Sequence, residues 1–308
     1  MPGIPKTNRL RFVVSLTRKD NDYQLEQATA AEEAARQLSV HVDIIFAEND
    51  SITQSQQLLN VIQSHADSRP DAIVFEPVGA TALPQAARAA AAAGIGWVVL
   101  NREAQYLSEL RKASSAPAFV ISSDHREIGR LQGRQIAALL SKGGAVLCIQ
   151  GPSDNSAARE RTEGMRETKP ANIQIHLLKG KWTEESATRA VQSWLSLTTS
   201  KKARVDLIAA QDDSMAMGAR RAFDQIVDLS ERAKWLRLPY IGCDGLPKTG
   251  QEWVRKGLLA ATIYMPPNTP LAVEMLVQAR RSGNQPPELT LTAPKSIPSL
   301  EVLAKKSS

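Results

Sequence analysis

The sequence predicts an α/β protein built from two doubly wound parallel sheets. Short apolar runs rich in β-branched residues alternate with Ala-rich helical stretches between residues 12 and 101, and the pattern restarts after residue 124. These runs are apolar throughout, which is typical of parallel strands covered by helices on both faces. A chain of 308 residues is also too long for one ordinary core and suits two domains of about 150 residues each.

The first series of elements predicts four strands separated by three helices. Its strands are expected at FVVSL (12–16), VDIIFA (42–47), DAIVFEP (71–77) and WVVLN (97–101). Its helices are expected near residues 24–38, 52–66 and 81–93. The last of these is dominated by alanine, the residue with the highest helix propensity. AFVISSD (118–124) is expected to be a connecting piece between the two series.

The second series repeats the pattern and is followed by a tail. Its strands are expected near residues 144–150, 173–178, 205–210 and 238–243. Its helices are expected near residues 125–141, 155–169, 185–199, 212–223 and 247–257. The tail beginning at ATIYM adds one strand and one helix. Because a single tail helix has no sheet of its own, it must dock on an existing domain, so we expect the chain to cross between domains more than once.

Composition excludes several classes of protein. With 43% hydrophobic and 23% charged residues and no apolar run near 18 residues, the chain is expected to be soluble, globular and without a membrane span. The net charge of +6 comes from scattered lysines and arginines interleaved with acids, so we expect no nucleic-acid partner. MPGIPKTNRL contains no apolar segment, so we expect no signal peptide in the sequence as given. Either an intracellular protein or an exported protein without its leader fits this.

Motifs of enzymes and metal sites are missing from the sequence. GxGxxG does not follow the first strand, and neither GxxxxGK[ST] nor GxSxG occurs. Cys148 and Cys243 lie in strand-like runs and are expected to be buried, reduced thiols. The histidines are expected to be ordinary surface or structural residues: His41, His65, His125 and His176. We therefore expect no catalysis, no cofactor and no metal.

Polar and aromatic side chains follow several of the expected strands. In open parallel sheets, ligands bind beyond the carboxyl ends of the strands. Charged groups can engage adjacent hydroxyls while aromatic rings cover C–H faces, so the mixture suits a polyhydroxylated ligand. The candidate binding residues are Asn21, Tyr23, Asn101, Arg102, Arg159, Trp182, Asp212 and Asp244. Structural alternatives stay open: a helix cap for Asp212, a turn for Asp244, surface cover for Trp182 and loop closure for Tyr23.

Two arginines in QGPSDNSAARERTEG (150–164) need an explanation, because cations near a helix start are disfavoured by up to about 1 kcal/mol. Asn155 or Ser156 is expected to cap this helix. Only one of the two arginines can point at any one spot. We interpret Arg159 as the ligand contact and Arg161 as a solvent-exposed or ion-paired arginine of the supporting structure.

From about residue 10 to residue 283 the chain resembles the type I periplasmic sugar-binding proteins, close to the ribose- and galactose-binding group. These proteins share their fold with the effector domains of lactose-repressor-like regulators. The resemblance is carried by QGPSDNSAARERTEGM, VLNREA, AAQDDSMAMGARRA, IGCDGLP and NDYQ, and it implies ligand-binding roles for the eight candidates. Two departures leave the sugar unidentified. Gln24 follows Tyr23 where a second aromatic is frequent, and Tyr264, Met265 and Pro266 stand where a glutamine commonly follows the ATI strand.

The resemblance also implies a topology. Three crossovers form a hinge near residues 122–125, 263–267 and 290–294 between two flavodoxin-like domains. The expected N-terminal lobe comprises residues 9–122 plus 266–291, and the C-terminal lobe 123–265 plus 292–308. In the family's strand order, one strand separates those carrying Cys148 and Cys243. Two strand spacings are about 9–10 Å, beyond the roughly 7 Å reach of a disulfide, so free thiols are expected.

The function implied by the resemblance is ligand capture without catalysis. A sugar or sugar-like polyhydroxylated ligand is expected in an interdomain cleft that closes by a hinge rotation. The implied protein is a periplasmic monomer that delivers its ligand to the membrane permease of an ABC-type sugar importer. The alternative is a ligand sensor, either cytoplasmic or linked to a receptor. About nine residues precede the first strand, too few for a helix-turn-helix DNA-binding module.

Overall fold

The computed structural model of the protein describes residues 9–79, 82–198, 200 and 203–306. Two compact units account for these residues. The first contains the described residues up to Ser122 together with Pro267–Leu291, and the second contains Ser123–Pro266 and the described residues from Thr292 onwards. The chain thus passes from one unit to the other after Ser122, Pro266 and Leu291.

The helices and strands have the following bounds within the described residues. The strands are β1 (Arg11–Leu16), β2 (His41–Phe46), β3 (Ala72–Phe75), β4 (Gly96–Leu100), β5 (Ala118–Ser123), β6 (Gly144–Gln150), β7 (Ile173–Lys179), β8 (Leu207–Ala210), β9 (Tyr240–Ile241), β10 (Thr262–Tyr264), β11 (Leu289–Thr292) and β12 (Lys295–Ile297). The helices are α1 (Asp22–Leu38), α2 (Ser51–Gln63), α3 (Pro84–Ala92), α4 (Leu107–Ala113), α5 (His125–Leu139), α6 (Ser156–Thr168), α7 (Glu184–Leu195), α8 (Asp213–Asp224), α9 (Leu229–Leu236), α10 (Gly250–Arg255), α11 (Thr269–Ser282) and α12 (Leu300–Lys306).

The first unit is built on a sheet with the strand order β11-β5-β4-β3-β1-β2, in which β1 to β5 pair in parallel. Strand β3 explains the continuous apolar runs. Ala72 and Val74 face a core closed by α1 and α11, whereas Ile73 and Phe75 face a second core closed by α2, α3 and α4. Because both faces are buried, neither can carry polar side chains. The tail helix α11 docks on this unit, as its lack of a partner sheet predicted.

The second unit is built on a parallel sheet with the order β7-β6-β8-β9, beside an antiparallel pair of β10 and β12. Helices α5 and α6 pack unusually closely, because glycines stand at their contact. A Cβ atom at Gly129 would lie 2.1 Å from the Arg161 carbonyl oxygen, and one at Gly164 would lie 2.0 Å from that of Arg126. Close backbone approach fixes which face of α6 is turned inwards.

The predicted fold of two parallel-sheet α/β domains is confirmed, and one element was interpreted wrongly. AFVISS is strand β5, paired in parallel with β4, and not a connecting piece. Its residues are buried like those of the other strands, so the apolar run was itself a strand signal. The predicted tail of one strand and one helix was too short, since β11, β12 and α12 follow α11. The short helices α4 and α9 were also missed, because seven or eight residues hold too few repeats of the 3.6-residue pattern.

Both cysteines are free and buried, as predicted. Strand β8 lies between β6, which carries Cys148, and β9, which ends two residues before Cys243. Burial in an apolar core raises the pKa of the Cys148 thiol to about 12 and raises the pKa of Cys243 in the same direction. Both thiols are therefore protonated and unreactive near neutral pH.

Candidate functional site

In the first unit, polar side chains gather where β1, β3 and β4 end. Glu76 follows β3 directly and is only 7% exposed. Its Oε2 atom accepts from Gln24 Nε2 at 3.0 Å and from Asn101 Nδ2 at 3.1 Å. We call Asn21, Tyr23, Gln24, Glu76, Asn101 and Arg102 the first strand-end group.

The amide groups around Glu76 have fixed orientations. Gln24 Oε1 accepts from the Thr17 backbone N–H at 2.9 Å, so its NH₂ group must face the carboxylate. Asn101 Oδ1 accepts from Asn268 Nδ2 at 2.7 Å, which turns the Asn101 NH₂ group to Glu76 in the same way. These amides therefore present two donors to a single carboxylate oxygen.

The predicted residues of the first unit lie at this edge of its sheet. Asn101 directly follows β4 in the left-handed region, at a φ of 55°, which asparagine tolerates better than most residues. Arg102 is half-buried, and its Nη1 donates to the Asn101 carbonyl at 2.7 Å. Asn21 caps α1 by accepting from Gln24 N at 3.1 Å, and Tyr23 is buried in the first turn of that helix. The side chains thus come from three different strand ends.

In the second unit, a buried arginine occupies the corresponding edge. Arg161 is 5% exposed; its Nη1 donates to the Gln211 carbonyl, and its Nη2 lies 3.0 Å from Met265 Sδ. The guanidinium carbon lies 5.4 Å from the centre of the Trp182 ring, a cation–π distance. We call Arg161, Trp182, Gln211, Asp212, Asp213, Asp244 and Met265 the second strand-end group.

Arg159 and Arg161 have different environments in the structure. Arg159 is exposed and its Nη1 donates to the Asp154 carbonyl at 3.3 Å, within the loop before its own helix. Residues two apart on a helix point about 200° apart, so only one can share the buried face of α6. That face carries Ala157, Ala158, Arg161, Thr162, Gly164 and Met165. The interpretation of Arg161 as an exposed arginine is therefore wrong, and the structure does not bring Arg159 to the second strand-end group.

Trp182 lies against the backbone at the end of β6. A Cβ atom at Gly151 would lie 2.2 Å from Trp182 Cζ2, so only glycine leaves room for the indole there. Trp182 itself adopts a φ of 59° and is only partly buried. The ring is consequently held between the Gly151 backbone and the Arg161 guanidinium.

The adjacent carboxylates of Asp212 and Asp213 have different hydrogen-bond partners. Asp212 caps α8, accepting from Met215 N at 2.5 Å. Asp213 accepts from Thr262 Oγ1 at 2.7 Å and from Gly245 N at 2.8 Å. The second of these bonds anchors the turn that carries Asp244, which has a φ of 98°. Asp213 therefore connects strand β10 to the Asp244 turn.

A family model described as periplasmic binding protein domain matches residues 12–284. The chain belongs to this periplasmic binding protein family.

Relatives of this family member are sugar-binding proteins by name. The chain is 23% identical to the D-allose-binding periplasmic protein of Escherichia coli K12 over 275 residues, 88% of this chain and 85% of that protein. It is 26% identical to the ribose import binding protein of Salmonella typhimurium over 249 residues, 81% of this chain and 77% of that protein.

Solved structures of the family have the same fold. The solute-binding protein of an ABC transporter from Actinobacillus succinogenes, with bound D-allose, matches with a TM-score of 0.79 and 22% identity, covering 97% of this chain and 100% of the other. A solute-binding protein from Bacillus halodurans, with bound myo-inositol, gives 0.78 at 21% identity, and 99% of each chain is covered. The type I periplasmic fold predicted from the sequence is confirmed.

Several residues of the strand-end groups in this family member were missed from the sequence. Glu76 follows β3 as Asn101 follows β4, so the strand-end rule could have found it. Arg161 could have been found by counting helix positions from the buried pair Ala157 and Ala158. The Asp213 contacts are long-range and leave no local signal.

Two kinds of feature are absent from the described residues of this family member. None of its helices there combines the length and apolar character needed to span a membrane. In the same part of the chain, no group of three or more His, Cys, Asp and Glu side chains is arranged to hold a metal ion.

Proposed function

We propose that the protein is a solute-binding protein which binds a sugar or sugar-like polyhydroxylated ligand and catalyses no reaction. Membership of the periplasmic binding protein family supports this proposal. The named relatives bind D-allose and ribose, and a solved structure of the same fold carries myo-inositol. All three compounds are small and rich in hydroxyl groups.

The observation that carries the proposal is the buried Arg161 beside the Trp182 ring. A guanidinium offers paired, charge-assisted hydrogen bonds, and an indole offers a flat apolar face. Together they match the alternating hydroxyls and C–H faces of a sugar. Since the Gln211 carbonyl and the Met265 sulfur already hold the guanidinium, little side-chain entropy would be lost when a ligand binds.

Within this proposal, residues of both strand-end groups contact the ligand. The proposed ligand residues are Asn21, Tyr23, Asn101, Arg102, Arg161, Trp182, Asp212 and Asp244. Arg161 takes the role that the sequence had suggested for Arg159. Hinge closure around the ligand belongs to the same proposal.

The wider setting is proposed from the relatives. We place the protein in the periplasm, as a monomer that delivers its ligand to the permease of an ABC-type importer. Ribose import is named in the description of one relative, and an ABC transporter in those of two solved structures.

Thermal-shift measurements with a panel of pentoses, hexoses, polyols and sugar acids test the proposal. A ligand present at about 100 times its Kd stabilises a protein by about 2.7 kcal/mol, which corresponds to roughly 5–10 °C in Tm. We expect at least one neutral or charged polyhydroxylated compound to give such a shift. A panel in which only unrelated compounds stabilise the protein would refute the proposal.

Arg159 and Arg161 form a matched pair for this assay. Arg161→Ala should weaken binding by about 10- to 150-fold, since hydrogen bonds to charged groups contribute about 1.5–3 kcal/mol. Arg159→Ala, on the same helix, should leave affinity unchanged. Because Arg161 is buried, the Tm of each apo variant is measured as well, and Arg161→Lys tests whether charge alone suffices. Equal affinities of the two alanine variants would remove Arg161 from the site.

A further inference from the structure

We infer that the ligand is a polyhydroxylated compound carrying a protonated amine, and that Glu76 is the residue that binds the amine. This inference rests on the proposed function and names its substrate class. It starts from the surroundings of the Glu76 carboxylate in the first strand-end group.

The Glu76 carboxylate is buried among neutral groups. Its Oε2 atom accepts two amide donors, from Gln24 and Asn101, at 3.0 and 3.1 Å. Gln54 Nε2 donates at 2.9 Å to the Glu76 backbone carbonyl. Among the described residues, no lysine, arginine or histidine makes an ion pair with this carboxylate. In the part of the chain that the structure describes, this largely buried carboxylate thus accepts amide donors and forms no ion pair.

The second carboxylate oxygen is unused. Glu76 Oε1 accepts no hydrogen bond from any of the described residues, although the side chain is only 7% exposed. Every nearby amide is committed elsewhere through its own oxygen. Gln24 Oε1 is held by the Thr17 N–H, and Gln54 Oε1 by the Val78 N–H at 3.0 Å. The amides therefore cannot turn to serve Oε1 without losing a backbone partner.

These two features select an ammonium group over a hydroxyl. A hydroxyl would supply Oε1 with a donor, but it would leave the buried charge uncompensated. An ammonium supplies the donor and the opposite charge together, and burying a carboxylate is costly unless it is paired. Charge-assisted hydrogen bonds are about twice as strong as neutral ones. We therefore expect an amino sugar to bind about tenfold more tightly than the sugar with a hydroxyl at the same position.

Arg102 does not supply the positive charge that the Glu76 carboxylate requires. Its Nη1 donates at 2.7 Å to the Asn101 carbonyl, which directs one edge of the guanidinium to the backbone. Arg102 and Glu76 do not form an ion pair, so the Glu76 carboxylate still requires a cation.

Isothermal titration calorimetry with matched sugars tests the inference. The probes are D-glucosamine against D-glucose, D-galactosamine against D-galactose, and D-glucuronate as the acidic comparison. The titrations run at about pH 6, where an amine with a pKa near 8 is charged. We expect at least one amino sugar to bind about tenfold more tightly than its neutral partner, and the acid to bind most weakly.

Two variants assign the preference to Glu76. Glu76→Gln keeps an acceptor for the two amide donors but removes the charge, so the ratio of amino-sugar to neutral-sugar affinity should fall from about tenfold to about one. Asp71→Asn is the matched control. Asp71 accepts from Arg11 N at 2.8 Å at the opposite end of β3, about 16 Å away at roughly 3.3 Å per residue. Asp71→Asn removes one negative charge, as Glu76→Gln does, and should leave the preference for amino sugars unchanged.

The outcomes separate the inference from the proposed function. Neutral sugars that bind as tightly as their amino partners would overturn the inference while supporting the function. An amine preference that survives Glu76→Gln would overturn the role of Glu76. If no sugar or polyol of the thermal-shift panel binds either, the proposed function fails and the inference fails with it.

Discussion

Asp213 is expected to hold the Asp244 turn in its binding geometry, and Asp213→Asn tests this. The carboxylate accepts from Thr262 Oγ1 at 2.7 Å and from Gly245 N at 2.8 Å. It is only 2% exposed, so water cannot replace it. Space around it is also tight, since a Cβ atom at Gly242 or Gly250 would lie 2.1 or 2.0 Å from its oxygens. An asparagine fits the same volume but carries one acceptor oxygen in place of two.

The cost of the substitution follows from these two bonds. An asparagine can keep the Gly245 N–H and turn its NH₂ group to the Thr262 hydroxyl, which can also accept. What is lost is the charge on both bonds, about 1–1.5 kcal/mol each. Relief of the desolvation of a buried carboxylate offsets part of that loss. We expect a net destabilisation of about 1–3 kcal/mol, or roughly 2–12 °C in Tm, for a unit of this size.

Ligand binding should respond more specifically than stability. The Gly245 N–H anchors the residue next to Asp244, whose φ of 98° is unfavourable outside a constrained turn. With that anchor weakened, we expect calorimetric affinity for the best panel ligand to fall about tenfold. Asp206→Asn is the control, because Asp206 accepts from Ala145 N at 2.8 Å at the amino end of the same sheet. It should lower Tm and leave affinity unchanged. If both variants bind equally well, Asp213 does not position Asp244.

Two further predictions concern Gly151 and Cys148. Gly151→Ala should displace the Trp182 indole, since the added methyl would lie 2.2 Å from Cζ2; we expect quenched or shifted tryptophan fluorescence and weaker ligand binding, and an unchanged spectrum would contradict the packing. Burial raises the pKa of Cys148 to about 12, whereas an unfolded thiol titrates near 8.5. The unfolded state therefore loses this proton first, and the free energy of unfolding should fall by about 1.4 kcal/mol per pH unit between about pH 9 and pH 12. Urea titrations should show a smaller alkaline slope for Cys148→Ala, and equal slopes would count against the burial argument.

The sequence predicts the sheets better than it predicts the site. Strands such as AIVF (72–75) are buried on both faces, so their apolar character alone reports their role. The same pattern misled at AFVISS only because it was interpreted as a connection between two series. AFVISS pairs with β4 in the assembled sheet, and that pairing is a property of the whole unit and not of the local sequence.

Whether a helical residue reaches the site depends on the direction in which its side chain points around the helix axis. Arg159 and Arg161 differ by two positions, and the α5–α6 contact through Gly129 and Gly164 decides which of them faces inwards. The periodicity of the helix distinguishes the two positions. The argument from the helix dipole does not, because it applies to both arginines alike. The contacts of Asp213 could not be predicted from the local sequence. Its partners Gly245 and Thr262 lie 32 and 49 residues away in sequence, so only the assembled unit brings them together.

The two strand-end groups hold their charged residues by different means. In the first, Glu76 is oriented by amides whose own oxygens are fixed by Thr17 N–H and by Asn268. In the second, Arg161 is oriented by a backbone carbonyl, a sulfur and an aromatic ring. Among the described residues the Glu76 carboxylate forms no ion pair, so under the inference its opposite charge comes from the ligand. Under the proposed function, the Glu76→Gln and Arg161→Ala variants should therefore lose affinity for different features of the same compound.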